Sequence, residues 1–247
     1  VRMVVVSVLY GQMIGRRMVM LLLFFLMIRR PPRSTQSRSS AASDVYKRQA
    51  QEVHHMGREA LALSADVCDT RQVDGVVRET LERFKRIDIS VHNAGGGYPT
   101  KAILEMSEEE WDKSVALNLK SAFLCCRTVG KVMTKQKRGS IVNMSSMAGF
   151  GPYPLGANYA AAKAGVKNLT ENLAVELGSY NVRVNALAPG PVETPTIAEY
   201  YKEHPDMKEQ RLRAIPLRRI ASPEDIANVL CFWQAMLQRM SAVRRSS

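Results

Sequence analysis

The apolar positions change period repeatedly along this chain, and each change marks an element. Ala60-Leu61-Ala62-Leu63-Ser64-Ala65-Asp66-Val67 reads as a strand with an acid at its end. Between Arg71 and Arg86 the apolar residues Val73, Val76, Val77, Leu81 and Phe84 recur at helical spacing, which predicts a one-faced helix. Asp88-Ile89-Ser90-Val91-His92 is a second strand, running into the glycine-rich turn Asn93-Ala94-Gly95-Gly96-Gly97. Ser107-Glu108-Glu109-Glu110 is a helix start, with Ser107 as N-cap and Glu110 at the capping-box position. That helix carries Asn118 and is expected to run to about Lys135. Ser140-Ile141-Val142-Asn143-Met144 is a buried strand, Asn158 to Leu177 a helix, and Val182 to Gly190 a strand ending in a turn. Thr196 to Arg219 is polar, with Pro205 and Pro216 bounding a short helical piece, and Ser222-Pro223-Glu224-Asp225 opens a last helix. Strands alternating with helices predict an α/β fold with a doubly wound parallel sheet.

The candidate chemistry lies between the third of these strands and the helix that follows. Tyr159 and Lys163 are four residues apart and so share one helix face. Ser146 follows the strand end, where open α/β sheets bind ligands. A hydroxyl, a phenol and an ammonium placed together suit proton exchange with a carbonyl oxygen. A free tyrosine has a pKa near ~10, and bringing it to ~7 requires roughly 4 kcal/mol in favour of the phenolate. A neighbouring ammonium acts in that direction, and an oxidised nicotinamide would add to it. Tyr159 would then trade the proton while Ser146 holds the oxygen. A tyrosine and a lysine at this spacing also occur on ordinary exposed helices, so the surrounding residues decide.

Those residues are Asn93-Ala94-Gly95, Asn118 within Val115-Ala116-Leu117-Asn118-Leu119, and Asn185-Ala186-Leu187-Ala188-Pro189-Gly190. Together with Ser146, Tyr159 and Lys163, in this order, they resemble the short-chain dehydrogenase/reductase family over about residues 49–232. The resemblance implies a Rossmann-like fold and NAD or NADP as cofactor. It implies Tyr159 as general acid/base, Lys163 as its pKa modulator and a donor to the nicotinamide ribose, and Ser146 as the residue orienting the carbonyl. Asn118 would complete the set through a backbone distortion that seats a water in the proton relay. Asp66 and Val67 would contact the adenine, Asn93, Ala94 and Gly95 the cofactor backbone, and Pro189, Gly190, Val192 and Thr194 the nicotinamide end. The stretch from Thr196 to Arg219 would act as a substrate lid. One position departs: where the family usually has Asn-Asn-Ala-Gly, His92 stands first, and it is expected to perturb the turn's hydrogen bonding without abolishing binding.

The two ends do not fit the resemblance. Residues 1–48 should supply two strands and the phosphate-binding glycine loop, yet residues 18–34 read Met-Val-Met-Leu-Leu-Leu-Phe-Phe-Leu-Met-Ile-Arg-Arg-Pro-Pro-Arg-Ser. The segment is similar to translated sequencing-adapter or vector sequence and is expected to be a disordered leader outside the fold. Its apolar run is shorter than the about 20 residues a bilayer span needs. Gly11-Gln12-Met13-Ile14-Gly15 imitates a glycine loop, but Arg16-Arg17 stand where a third glycine and a helix should begin. After Phe232 the chain also leaves the family's pattern. Reading from the third base of the Phe232 codon gives Leu-Ala and permits Ser-Asp-Ala-Ala-Thr-Tyr-Val-Ser-Gly, the family's ending, so residues 233–247 are expected to be an out-of-frame tail. The expected sheet is accordingly incomplete, lacking its first two strands, the glycine loop and its last strand. Poor cofactor binding is expected to follow.

Charge supports the same partition. Residues 1–48 contribute +8 and residues 233–247 +3 of the net +12, leaving +1 for the middle. The basic balance therefore belongs to the ends and does not point to nucleic acid or a membrane. Cys68, Cys125, Cys126 and Cys231 lack metal-ligand spacing and read as thiols of a reducing compartment, so a cytoplasmic enzyme without a metal site is expected. The overall look is most like 3-oxoacyl-acyl-carrier-protein reductases, with an acyl thioester or small carbonyl or alcohol as substrate and a homo-oligomeric assembly. Sugar or polyol dehydrogenases such as glucose 1-dehydrogenase, and hydroxysteroid dehydrogenases, share many of the same features. A non-catalytic truncated fragment and a membrane-anchored reductase are the readings from other classes.

Overall fold

A computed structural model describes residues 3–13, 16–23, 59–96 and 101–232, with positions 51 and 55. The chain divides into two units, residues 1–188 and 189–247. The first is built on a six-stranded sheet of order β3-β1-β2-β4-β5-β6. Its strands are β1 (Met3–Met13), β2 (Arg16–Leu23), β3 (Ala60–Ala65), β4 (Ile89–His92), β5 (Gly139–Met144) and β6 (Val182–Leu187). Strand β2 pairs in parallel with β4, β4 with β5, and β5 with β6. Strand β1 runs antiparallel to both β2 and β3, so it alone is reversed among the described strands. The carboxyl ends of β3, β4, β5 and β6 therefore share one edge of the sheet.

Two expectations change here. Residues 1–48 are expected outside the fold, whereas Met3–Met13 and Arg16–Leu23 form a hairpin filling the two places between β3 and β4. The sheet is in consequence mixed rather than wholly parallel. The physical reason is open pairing: β3 and β4 each present a row of backbone donors and acceptors that must be satisfied. Continuous apolar and β-branched runs such as Met3-Val4-Val5-Val6 suit a strand with neighbours on both sides. Residues 24–50, Gly97 and residues 233–247 lie outside the described residues, and with them most of the adapter-like stretch and the whole out-of-frame tail. Among the described residues β3 and β6 are the two edges of the sheet.

Helix boundaries follow local signals closely. Helix α1 (Thr70–Phe84) begins where the Asp69 side chain accepts from the Arg71 and Gln72 amides, and it ends at Lys85 in a left-handed conformation. Helix α2 (Glu108–Val115) starts with the expected reciprocal Ser107–Glu110 capping box. It passes through a π-helical segment, Ala116–Lys120, into α3 (Ser121–Gln136). Helix α4 (Ala157–Gly178) joins β5 to β6. The core of the unit draws on α1 (Val73, Val77), α3 (Val129, Met133), β5 (Ile141) and β6 (Val184), all buried. Cys125 and Cys126 are packed within it, and burial pushes both thiols upward, the Cys126 thiol to about 12.

The second unit holds α5 (Pro195–Glu203), capped by the Thr194 hydroxyl, and α6 (Pro205–Ala214). The polar stretch thus carries two helices rather than one short piece. The break falls at His204, immediately before Pro205, as the restriction on residues preceding proline requires. A further helix spans residues 223–232, opened by a reciprocal pair: Ser222 N–H to the Asp225 carboxylate and Asp225 N–H to the Ser222 hydroxyl.

At the amino-terminal edge of β4, the buried carboxylate of Asp88 lies 2.5 Å from Arg86 and 3.2 Å from Arg138. Gln136 braces the same corner, accepting from Ile87 N–H at 3.0 Å and donating to Ile87 C=O at 2.7 Å. The carboxylate is withdrawn from water while both arginines remain partly exposed, a case between surface and buried ion pairs. Asp88→Asn is expected to lower the unfolding free energy by about 2 kcal/mol. Urea denaturation reads this directly, and an unchanged midpoint would show that the corner does not depend on the charge.

Candidate active site

The carboxyl edge of the sheet gathers most of the residues singled out in the sequence. Beyond β5, Ser146 caps a short 3-10 turn, its hydroxyl accepting from Ala148 N–H at 3.2 Å. Tyr159 and Lys163 stand one turn apart near the start of α4, with the Lys163 Nζ 5.6 Å from the centre of the Tyr159 ring. Lys163 is 4% exposed, and its ammonium donates to Met144 C=O at 2.8 Å. Burial lowers its pKa from the usual lysine value to about 8.

Tyr159 behaves differently from the expectation of a lowered phenol. Burial raises its pKa, the Ser146 hydroxyl acts in the opposite direction, and Tyr153, whose ring lies 6.0 Å away, adds to the rise. Within the protein itself, desolvation outweighs the hydrogen bond from Ser146.

Asn118 sits in the π-helical segment and is 1% exposed. Its side-chain amide donates to Ser114 C=O at 3.0 Å, competing with the backbone for the carbonyl one turn back. The Ser121 hydroxyl does the same to Leu117 C=O. Both bonds fall at the π-helical winding, Ala116–Lys120. The other bonds of Asn118 reach the glycine turn: Nδ2 donates to Gly96 C=O at 3.0 Å, and Oδ1 accepts from Gly96 N–H at 2.9 Å. Gly95 has φ of 152°, and a Cβ there would come 2.7 Å from Asn118 Oδ1 and 3.0 Å from Lys163 Nζ. The turn after β4, the π-helical segment and the lysine of α4 therefore converge on one small volume.

The remaining residues divide into two groups. Asn93 is partly exposed and Ala94 buried at the end of β4. Asp66 is partly exposed at the end of β3, its carboxylate accepting from Cys68 N–H at 2.8 Å. Val67 beside it is 1% exposed, so its side chain is core and only its backbone borders the edge. Pro189, Gly190, Val192 and Thr194 belong to the second unit, where Val192 bridges to Ala221 and Thr194 caps α5.

His92 departs from expectation. Its ring does not enter the turn's hydrogen bonding but is buried beneath it, with Nδ1 2.8 Å from Asn143 Oδ1 and Nε2 2.9 Å from Ser90 Oγ. The sequence signal that could have found this is the pair of polar residues, Ser90 and Asn143, inside otherwise apolar strands.

Comparison with known proteins agrees with the geometry. A family model described as enoyl-(acyl carrier protein) reductase matches residues 39–239. The 3-oxoacyl-[acyl-carrier-protein] reductase of Synechocystis sp. is 41% identical over 196 residues, which are 79% of this chain and 75% of that protein. Among solved structures, ElxO with NADP bound superposes with a TM-score of 0.65 at 28% identity, covering 68% of this chain and 67% of the other. NAD+-bound xylitol dehydrogenase superposes with a TM-score of 0.70 at 26% identity, covering 75% of this chain and 76% of the other. No helix among the described residues is long and apolar enough to cross a membrane. The chain belongs to the short-chain dehydrogenase/reductase family of oxidoreductases.

Proposed function

We propose that the chain is built to move a hydride between a nicotinamide cofactor, NAD or NADP, and a secondary alcohol or ketone, with a 3-oxoacyl thioester as the substrate class it resembles most. The observation that carries this reading is the convergence of Asn118, Lys163 and Gly95 beside Tyr159 and Ser146 at the carboxyl edge of the sheet. A cradle where a Cβ would collide with two polar groups fits the close approach of a cofactor's backbone-facing side. When bound, the nicotinamide supplies or accepts the hydride. Ser146 holds the substrate oxygen, Tyr159 gives or takes its proton, and Lys163 provides positive charge beside the phenol. Asn118 fixes the turn against which the cofactor rests. Asp66 with the Val67 backbone would border the adenine, and Asn93 and Ala94 the central part of the cofactor.

The phosphate end is the weak one. Residues 24–50, which follow the strand paired with β4, contain no glycine. A pyrophosphate ordinarily rests on backbone N–H groups of a glycine loop at a helix start. Calorimetric titration of the chain with NADH or NADPH is therefore expected to give weak binding, and micromolar affinity would overturn this. The adapter-like leader and the frame change at Phe232 belong to the same proposal: source DNA read across that codon should reveal one lost nucleotide, and an intact frame would refute it.

Turnover distinguishes the substrate readings. NADPH and NADH oxidation should be followed against acetoacetyl thioesters, ketoses and ketosteroids, with the first expected to react best. Tyr159→Phe should lower kcat by roughly 100-fold to 10,000-fold, the usual contribution of a positioned proton donor. Equal turnover in that variant would remove the phenol from the mechanism.

Lys163 gives a pH test independent of turnover. Its folded pKa of about 8 lies below the ordinary lysine value, so between these limits the unfolded chain binds more protons than the native one. Stability contributed by this residue must rise as pH increases from about 8 to about 10.5, the burial penalty being fully present below that window. The gain is on the order of 3 kcal/mol. Lys163→Met should abolish that alkaline rise in urea denaturation series, and a parallel profile in the variant would contradict the buried-ammonium assignment.

A further inference from the structure

We propose that His92 is a positioning residue: held as its neutral Nδ1–H form, it orients Asn143 and so locks the strand carrying the Asn93–Gly95 turn to the helix carrying Tyr159 and Lys163. This rests on the function proposed above for those two residues, but its geometry stands by itself.

The bond directions follow from one fixed end. Thr170 on α4 donates its hydroxyl to Val166 C=O at 2.7 Å, one turn back on the same helix. Its oxygen then accepts from Asn143 Nδ2 at 2.9 Å, which fixes which way the Asn143 amide faces. Asn143 Oδ1 is an acceptor only, so the His92 nitrogen at 2.8 Å must be a donor. The Cys126 thiol, 3.3 Å from the same oxygen, is its second donor. With Nδ1 carrying the hydrogen, Nε2 is the acceptor, and the Ser90 hydroxyl donates to it. Each group has one role, and the chain of bonds crosses β4, β5, α3 and α4.

A catalytic thiol–imidazole pair is the other reading of Cys126, whose sulfur is 3.4 Å from His92 Nδ1. Burial argues against it from both sides. It depresses the imidazole to about 4 and raises the thiol to about 12, so both groups stay neutral. A neutral pair without access to water is a fastening, not a nucleophile.

The position of the fastening gives it consequences. Asn143 immediately precedes Met144, whose carbonyl holds the Lys163 ammonium, and Ser145 donates its hydroxyl to Lys163 C=O at 2.8 Å. Thr170 lies seven residues beyond Lys163, two turns along the same face of α4. His92 itself immediately precedes Asn93. An alteration at the ring is thus passed to the cofactor turn through the backbone and to Lys163 through Asn143.

Two measurements on the full chain test this, neither needing turnover. In 15N-histidine-labelled protein, His92, assigned through His92→Asn, should have a protonated Nδ1 and a bare Nε2, with no titration between about pH 5 and 8. A hydrogen on Nε2, or a midpoint within that range, would overturn the assignment. In 13Cε-lysine-labelled protein, the Lys163 resonance, assigned through Lys163→Met, reports its midpoint. His92→Phe keeps a buried ring but no nitrogen, and should move that midpoint by about half a pH unit or more. His92→Asn keeps a donor and should restore it, while the core variant Val129→Ala should leave it in place despite lower stability. An unmoved Lys163 midpoint in His92→Phe would reduce His92 to packing. Should His92→Phe fail to fold, the form measured in the unaltered protein still decides. Both readouts are independent of turnover, so equal turnover in Tyr159→Phe would defeat the proposed function and leave them interpretable.

Discussion

The ammonium of Lys163 is almost wholly withdrawn from water, and the strand–helix contact around it has to supply what water no longer does. A charge in that position is tolerated only where its partners are fixed. Met144 C=O takes the side chain, and the Ser145 hydroxyl takes the same residue's carbonyl, so both ends of Lys163 are tied to one strand end. Ser145 N–H in turn donates to Leu187 C=O, extending the tie to β6. Gly149 presses the loop after β5 against α4, since a Cβ there would come 2.7 Å from Ala164 N. Helix α4 cannot slide along β5 by a turn without stripping these bonds together. That rigidity, rather than any property of Tyr159 itself, places the phenol relative to Ser146.

Much of this was legible because it is local. The capping box at Ser107–Glu110, the start of α1 and the four-residue spacing of Tyr159 and Lys163 follow from short-range rules. The strands β3 to β6 announced themselves as short apolar runs bounded by turn residues. What could not be read were contacts between residues far apart in sequence. His92 and Asn143 are 51 positions apart, and neither alone signals that the other is its partner. The sign of the Tyr159 shift depends on burial, which the residue's own neighbours in sequence do not determine. The break at His204 was visible in Pro205, but the helix on its amino-terminal side was masked by polar composition.

The hairpin of β1 and β2 is hard to read from sequence for a different reason. Its sequence lacks the spacing of a glycine loop followed by an amphipathic helix, whereas strand pairing demands much less. Any extended apolar stretch can satisfy the backbone rows of β3 and β4, because those bonds involve no side chain. The reversal of β1 follows from the length of the connection: two residues lie between β1 and β2, enough for a hairpin and far too few for the crossover that parallel neighbours need. The sheet is thus completed between β3 and β4 as a hydrogen-bonded structure, whatever side chains the hairpin carries.

The two shifts at the centre bear on the direction of proton flow. Burial raises the Tyr159 phenol and lowers the Lys163 ammonium, so it favours the neutral form of each. A protonated phenol is the form required to donate to a carbonyl oxygen receiving a hydride. The reverse reaction needs the phenolate, and hence additional positive charge close to the ring. An oxidised nicotinamide carries such a charge and a reduced one does not, so on the function proposed above desolvation would favour donation and the cofactor's oxidation state would supply the opposite bias. The proton acceptor would then be activated by the same change that makes hydride acceptance possible, with burial setting the baseline from which it operates.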